Sequence, residues 1–579
     1  MTVYNKASLV LAESPAYKAG KIQPYYPLTP DVSFDFTRAT SATRVNASGN
    51  IEKETQNLLV QSNTFDTNWT ISEGTILGGQ TGYDGSTNAW LYTDNVGTIS
   101  KSHDVRQSVS ESGVNCFSIY AKMGTKAWVK MYSGLNTCFF NIDPNYVGNR
   151  IGTDNTLGGR IEDVGNGWFR LSIFDNGSTS LVLFGIAGGD NSGNYLSDGT
   201  GTIYIQNAQL EQGLVARDYQ ETTTSAFYGG ITDNIPRLDY TDSSCPALLL
   251  EPQRTNELQH SEYLEGWNLF INMTLTANNA TSPEGLQNAY KIETTSAGAY
   301  LRDAKTLTAG NNVFSIFAKK GNAQYIWLAT RFFNGFTDTY VWFDIENGTK
   351  GGRTGESFDY DIEDYGNGWY RCYIVHNVDA GDLFGYAYVG LTNTDENFAG
   401  AGGLNGYLYG GQWESRSYAT SYIPTYGSAV TRNNDNVSYT QQVTDSSSFA
   451  VFIEFEPTNQ SLEGDGTSIQ YPSVTDSYWA RLYPYYTNEK TRLLLRGTGF
   501  SDNIYSPSSH DTSTNNKWLI SFDGTRLKAF ANGEKLYDEV NTPYEFQSAG
   551  TGIQGMIVKS ILNFNAPLTD QEAIDLTTI

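Results

Sequence analysis

Chemistry in this chain of 579 residues would show first in its nucleophiles, carboxylates and metal ligands, and these are scattered. His103, His260, His376 and His510 fall in no HExxH or comparable ligand spacing, so they read as ordinary packed or surface histidines. Cys116, Cys138, Cys245 and Cys372 make no CxxC pair and no Cys/His cluster, and neither a zinc site nor a dense disulfide framework is indicated. Gly550, Gly552 and Gly555 spell GxGxxG, yet the segment runs into the strand-like MIVKSILNF instead of opening a helix, so no dinucleotide is expected there. No P-loop and no GxSxG elbow occurs. Carboxylates are the open case, because 62 acidic residues allow many pairs and a glycosidase needs two at the proper separation. Glu162-Asp163 recurs as Glu363-Asp364, and Glu211 in QLEQG as Glu414 in QWESR. Recurrence within one chain favours a shared structural duty over two active sites, and the expectation is a protein that is not an enzyme.

The elements that position these residues must be many and turn-rich. Hydrophobic residues make up 39% and glycine contributes 58 positions, a globular composition long enough for three to five structural units. The balance of 37 basic against 62 acidic residues, net −25, repels a phosphate backbone and argues against nucleic acid as a partner. No apolar run reaches the length of a membrane span, and MTVYNKASLVLAESPAYKAG lacks the basic and apolar regions of a secretory signal. Membrane insertion is therefore not expected. Aromatic residues reach 13%, with 39 Tyr, 28 Phe and 11 Trp, a content that suits β-sheets and ring-binding surfaces.

An internal repeat organises the chain. FSIYAKMG at Phe117 returns as FSIFAKKG at Phe314, IEDVGNGWFRLSI at Ile161 as IEDYGNGWYRCYI at Ile362, and DGSTNAW at Asp84 as EGLQNAY at Glu284. NLLVQSNTFDTNW at Asn57 returns as NELQHSEYLEGW at Asn256, so two tandem copies are expected over 51–222 and 256–435. Within each, Phe117, Ile119 and Ala121 alternate with Ser118, Tyr120 and Lys122, the period of a strand with one core face. GNG at 165–167 and 366–368 supplies the positive φ of tight hairpins. The reading is a jelly-roll sandwich for each copy. The polar, aromatic strand faces carry the matched pairs Tyr120/Phe317, Lys122/Lys319, Trp128/Tyr325 and Arg170/Arg371, and rings beside cationic donors form a platform for stacking on a sugar.

Residues 436–579 form a different β unit, with FAVFIEFEP, RLLLRG, WLISFDG and LKAFANGEKLYD as strands and Asn532-Gly533 as a hairpin turn. WLISFDGTRLKAFANGEKL and the closing LTDQEAIDL resemble the laminin-G/concanavalin-like fold. The expected class is all-β, with two tandem jelly rolls followed by a concanavalin-like sandwich, a short arm at 1–50 and a linker at 223–255. FDFTRATSATRVNASGNIE at Phe34, NIPRLDYTDSSCPALLLEPQRTN at Asn234 and SYIPTYGSAVTRNNDNVS at Ser421 resemble segments of bacteriophage head-fibre and tail-fibre proteins that bracket carbohydrate-binding-module-like domains. That resemblance implies a virion protein assembled in the host cytoplasm, with the arm docking on other virion proteins. It also implies adhesion to bacterial surface polysaccharide and a homo-oligomer, a trimer first. A head decoration or tail scaffold with purely structural sandwiches and a glycan depolymerase are the alternatives. Jelly rolls of the carbohydrate-binding kind hold structural calcium, for which Asp84 and Glu284 are the candidates, against their reading as turns before a strand. No other cofactor is expected.

Overall fold

The computed structural model describes residues 9–11, 16–18, 21–23, 34–152, 158–241, 246–332, 339–355, 359–381, 384–439, 448–457, 469–472, 479–486, 490–497, 500–506, 515–540, 551–553, 556–564 and 566–578. Cys245, His510, Gly550, Gly555 and the PYYPLTP stretch at 24–30 lie outside the described residues. The protein is all-β, as expected. Each repeat is, among the described residues, two antiparallel sheets of six strands whose apolar faces meet.

In the first repeat the back sheet runs in the order Gly159–Gly165, Trp168–Asp175, Asn115–Met123, Thr202–Gln212, Ala89–Asp94, Gly74–Gln80. The front sheet runs Asn136–Asn141, Trp128–Ser133, Ser178–Ile186, Lys101–Ser112, Asn194–Tyr195, with Thr70–Ser72 also on Lys101–Ser112. Phe117, Ile119 and Ala121 face Val129, Met131 and Phe184 in the core between them, as the alternation requires. The second repeat repeats this plan. Its back sheet is Met273–Ala280, Ala289–Thr294, Asn405–Glu414, Gly310–Lys320, Trp369–Val378, Asp359–Asp364, and its front sheet is Leu269–Ile271, Tyr300–Thr306, Phe384–Thr392, Tyr325–Phe332, Thr339–Asp344, Thr349–Thr354. Both GNG triplets are turns of three consecutive positive φ angles, 90°, 54° and 75° at Gly165 to Gly167 and 73°, 53° and 76° at Gly366 to Gly368.

The recurrent QxE motifs act as clamps. Gln209 donates to Glu211, which also accepts from Arg217, while Gln412 donates to Glu414, which also accepts from Thr420. Asn57 and Asn256, at matching positions, each brace two carbonyls and two amides. These are backbone-satisfying duties that a buried loop crossing demands.

The terminal sandwich is assembled from three distant stretches. Strand Met556–Phe564 pairs not only with Phe449–Pro457 but also with Ala247–Leu250 and with Leu9–Leu11. Arg237–Asp239 extends that sheet, and Phe34–Thr37 joins the other sheet beside Asn436–Tyr439. Phe36, Leu248, Leu250, Val437, Phe455 and Trp518 meet in one core. Two pieces expected to be free of the sandwich are thus parts of it. The described strands of the arm 1–50 and of the linker 223–255 supply backbone partners to the described strands of 436–579, and the two repeats are insertions into the third unit. Asn532 and Gly533, at φ 50° and 84°, turn the hairpin between Arg526–Ala531 and Glu534–Val540. The closing helix Asp570–Thr577 starts in a Thr569/Glu572 capping box and lays Ala573 and Leu576 on Phe452, Leu519 and Phe530. No helix of the described residues is long and apolar enough to cross a membrane.

Candidate functional site

The residues of the three connecting motifs converge in the interior. Arg38 pairs with Asp435 at 2.9 Å, Arg237 with Asp435 and with Glu251 at 2.6 Å, and Arg432 with Glu251 at 2.7 Å. Every one of these side chains is at most 5% exposed. Burial alone would raise the Glu251 carboxyl, but Arg432 and Arg237 hold it far below the usual carboxylate range. Burial draws the Arg38 guanidinium down to about 10. The three connecting motifs therefore build a junction between the repeats and the terminal sandwich, and these side chains face each other and not solvent.

The expected calcium ligands are engaged elsewhere. Glu284 sits 3.0 Å from Lys53 Nζ and 2.7 Å from Arg217, with Glu262 2.6 Å from the same lysine. Burial would push the Glu284 carboxyl up, but Arg217 and Lys53 hold it down at about 2. Two cations of its own chain saturate that carboxylate, which corrects its reading as a metal ligand. Asp84 accepts from the amide and hydroxyl of Ser86 and from Gln206, closing the turn before Ala89–Asp94. Among the described residues no three His, Cys, Asp or Glu side chains gather as a metal site.

The eight residues expected to form sugar platforms divide between two sheets. Tyr120, Lys122 and Arg170 lie on the back sheet of the first repeat, and Trp128 lies on the front sheet. Tyr120 is stacked on Tyr83 at 3.9 Å with Arg170 over its ring, and is 7% exposed. Lys122 is half-buried beside the GNG turn. In the second repeat Phe317 and Arg371 are buried at 0% and 2% exposure. Tyr365, Tyr409 and Tyr422 pack around Phe317, and Arg371 donates to the Thr420 carbonyl at 2.7 Å. The segment that follows the last back-sheet strand folds over this face, so Phe317 and Arg371 are packing residues and not an open platform. Lys319 donates to the Asn367 carbonyl of its own turn at 2.7 Å. A cleft of about 460 Å³ between this covered face and the terminal sandwich is lined by Asp239, Glu251, Glu363, Asp364 and Glu456.

Tyr325 leads to a different surface. On the front sheet of the second repeat every second residue points away from the core, and most of these positions are aromatic: Tyr325 and Trp327, Tyr340 and Trp342, Tyr386 and Tyr388, with Ala329 and Gly390 among them and Tyr300 and Arg302 on the neighbouring strand. Trp327 and Trp342 form the floor at 3% and 0% exposure, and the half-buried Tyr300, Tyr325, Tyr340 and Tyr386 stand around them. Trp327 lies against Gly390, where a Cβ would come within 2.2 Å of the indole. Arg302 stacks on Tyr386 at 4.2 Å and donates to the Tyr388 hydroxyl at 3.1 Å. Phe398, 55% exposed, stacks on Tyr340 at 5.1 Å. The indole N–H groups of Trp327 and Trp342 and Nε of Arg302 have no hydrogen-bond partner in this arrangement. The signal in the sequence is the alternation YIWLA, TYVWFD and GYAYVG, in which rings occupy the non-core positions.

A comparison with protein-family models gives no match, and neither does one with the curated proteins. Among solved structures the chain is similar to the N-terminal CBM22-1-CBM22-2 tandem domain of Xyn10C from Paenibacillus barcinonensis. The identity is 13%, the match covers 62% of this chain and 97% of that one, and the TM-score is 0.18. At that score the likeness carries no argument.

Proposed function

We propose that this protein is a glycan-binding adhesin whose binding face is the aromatic front sheet of the second repeat. The observation that carries the reading is the cluster of Tyr300, Tyr325, Trp327, Tyr340, Trp342, Tyr386 and Tyr388 beside Arg302. Rings of this kind offer flat apolar area to the C–H face of a pyranose, while the arginine and tyrosine hydroxyls supply donors and acceptors for its hydroxyl groups. The protein is proposed to act without bond cleavage, as a fibre or spike of a bacteriophage particle adhering to polysaccharide of the bacterial surface. Support for that setting is the resemblance of the Arg38, Arg237 and Arg432 segments to phage fibre sequences. A homotrimer on the particle would multiply weak sites into avidity.

Titration of the purified chain against extracted bacterial surface polysaccharide tests the adhesin reading. Tyr300→Ala and Tyr340→Ala are expected to weaken binding with little change in melting temperature, and equal affinity in both variants refutes the face. Immunogold labelling of intact particles tests the setting. Release of new reducing ends during the titration would favour the depolymerase reading, for which the cleft lined by Glu363 and Asp364 is the place to look.

A further inference from the structure

The outer face of the first repeat's front sheet holds a lysine where the second repeat has Trp327. Lys130 stands opposite Gly185, and Gly185 stands opposite Asp104, so the two charged residues share one rung with a glycine between them. Two strand spacings are about 10 Å, a span that a lysine and an aspartate close only by reaching over an empty centre. Gly185 leaves that centre empty: a Cβ there would come within 2.1 Å of the His103 carbonyl and 2.6 Å of the Asp104 Cα. Lys130 Nζ lies 3.6 Å from Asp104 Oδ2. The chain around Gly193 passes over the lysine stem, and Lys130 and Asp104 are buried, at 6% and 0% exposure.

The partners of these two side chains connect them chemically. Nζ donates to Ser102 Oγ and, at 3.1 Å, to the Gly193 carbonyl. Those two bonds use both hydrogens of a neutral amine and leave its lone pair unengaged. Ser102 Oγ in turn donates to Asp104 Oδ2. Arg106 donates to the other oxygen, Oδ1, through Nε at 2.7 Å, and its terminal nitrogen lies 2.6 Å from the same atom. One carboxylate oxygen is thus on a proton relay and the other is held by a guanidinium. Burial draws the Lys130 ammonium below the ordinary lysine value, against the attraction of Asp104.

We propose that Lys130 and Asp104 condense into an intramolecular amide, a covalent staple across the strand Ser178–Ile186. The ammonium passes a proton through Ser102 to Oδ2, which leaves an amine beside a carboxylic acid. The lone pair of Nζ attacks Cγ, and the negative charge that develops on Oδ1 is met by Arg106. A second proton from nitrogen follows the route through Ser102, the Cγ–Oδ2 bond breaks, and Oδ2 departs as water. One N–C bond replaces one C–O bond, with no oxidant or co-reactant. Holding both groups on one rung makes the step unimolecular, and its product removes two charges from a buried site. The staple ties Lys101–Ser112 to Trp128–Ser133, which are not neighbours in the sheet. It gives a covalent tie to a repeat whose cysteines, Cys116 and Cys138, are free. It is independent of the adhesin reading, and its test uses no glycan.

Intact-mass spectrometry of the denatured full chain measures the condensation. Wild type is expected to be lighter than its sequence by one water, and its tryptic map to hold one branched peptide that joins the segments of Lys130 and Asp104, uncut after Lys130. Lys130→Arg keeps a cation but no amine and should restore the full sequence mass. Ser102→Ala should slow the condensation by about a hundredfold, read as uncondensed chain in freshly purified protein, and Ser102→Thr should restore the rate. Wild type at its full sequence mass after prolonged incubation at physiological temperature overturns the staple. A loss of water that persists in Lys130→Arg, or that maps to a cyclised aspartate such as Asp84 before Gly85, overturns it as well. An unchanged rate in Ser102→Ala overturns the relay.

Discussion

Asp435→Asn removes one charge from the junction while keeping the shape of the side chain. The wild-type carboxylate is fully buried, takes a hydrogen bond from Arg38 at 2.9 Å and one from Arg237, and accepts the Glu251 amide at 2.8 Å. Three arginines there face two carboxylates; after the substitution they face Glu251 alone. The Coulomb attraction that repaid the burial of Arg38 and Arg237 is lost, and no water reaches them to replace it. Breaking a buried ion pair on one side costs about 3–5 kcal/mol. For a cooperative unit of domain size this lowers the melting temperature by roughly 10 °C. Thermal and urea unfolding of the full chain measure it, with Glu73→Gln as control, because the Lys101–Glu73 pair is 45% and 30% exposed and is worth about 1 kcal/mol or less. A loss under about 1 kcal/mol in Asp435→Asn, equal to the control, would refute the view that this network holds the three segments together.

Acid should loosen the contact between the repeats. Glu284 has its folded pKa depressed to about 2 from an ordinary 4.5, so its contribution is complete above pH 4.5 and is lost as pH falls towards 2; melting temperatures between pH 6 and pH 2.5 should fall in that window, and Glu284→Gln should flatten the fall. A fragment of residues 436–579 should fail to fold cooperatively, because Met556–Phe564 loses its partners Ala247–Leu250 and Leu9–Leu11; a native-like melt by circular dichroism would contradict this. Cys116, Cys138 and Cys372 are buried, and burial pushes the Cys138 thiol up to about 12. A thiol reagent should therefore reach these three only on unfolding, which mass mapping of labelled sites with and without denaturant checks.

The repeat, the strand period and the GNG turns were legible because they are local: FSIYAKM places Phe117, Ile119 and Ala121 in the core wherever the strand goes. The outer faces were not. Alternation separates the two sides of a strand but does not say what later covers one of them, and Phe317 and Arg371 vanish beneath residues 419–426, which arrive from beyond the last strand of the repeat. Trp128 and Arg170 look like neighbours in a list of matched positions, yet sheet order sets them on opposite layers. Tyr325 was found because it recurs as a ring; Trp327 and Tyr388 were not, because the first repeat has Lys130 and Leu183 there and a search for shared residues passes over what diverged. The arm and the linker were misplaced for a related reason, since a strand of three residues carries no period by itself.

The pairing of Leu9 with Asn563 has a consequence for the birth of the molecule. At the usual pace of synthesis, about 5–20 residues per second, the ribosome reaches Asn563 between roughly half a minute and two minutes after Leu9 has left it. Both repeats are complete during that interval, but the strands Leu9–Leu11 and Ala247–Leu250 wait with unpaired edges for the strand they will flank. Such edges are templates for pairing with a neighbouring nascent chain. On a polysome the same vulnerability brings identical chains close together at this stage, so premature termination before residue 556 yields products able to cross-pair but unable to close.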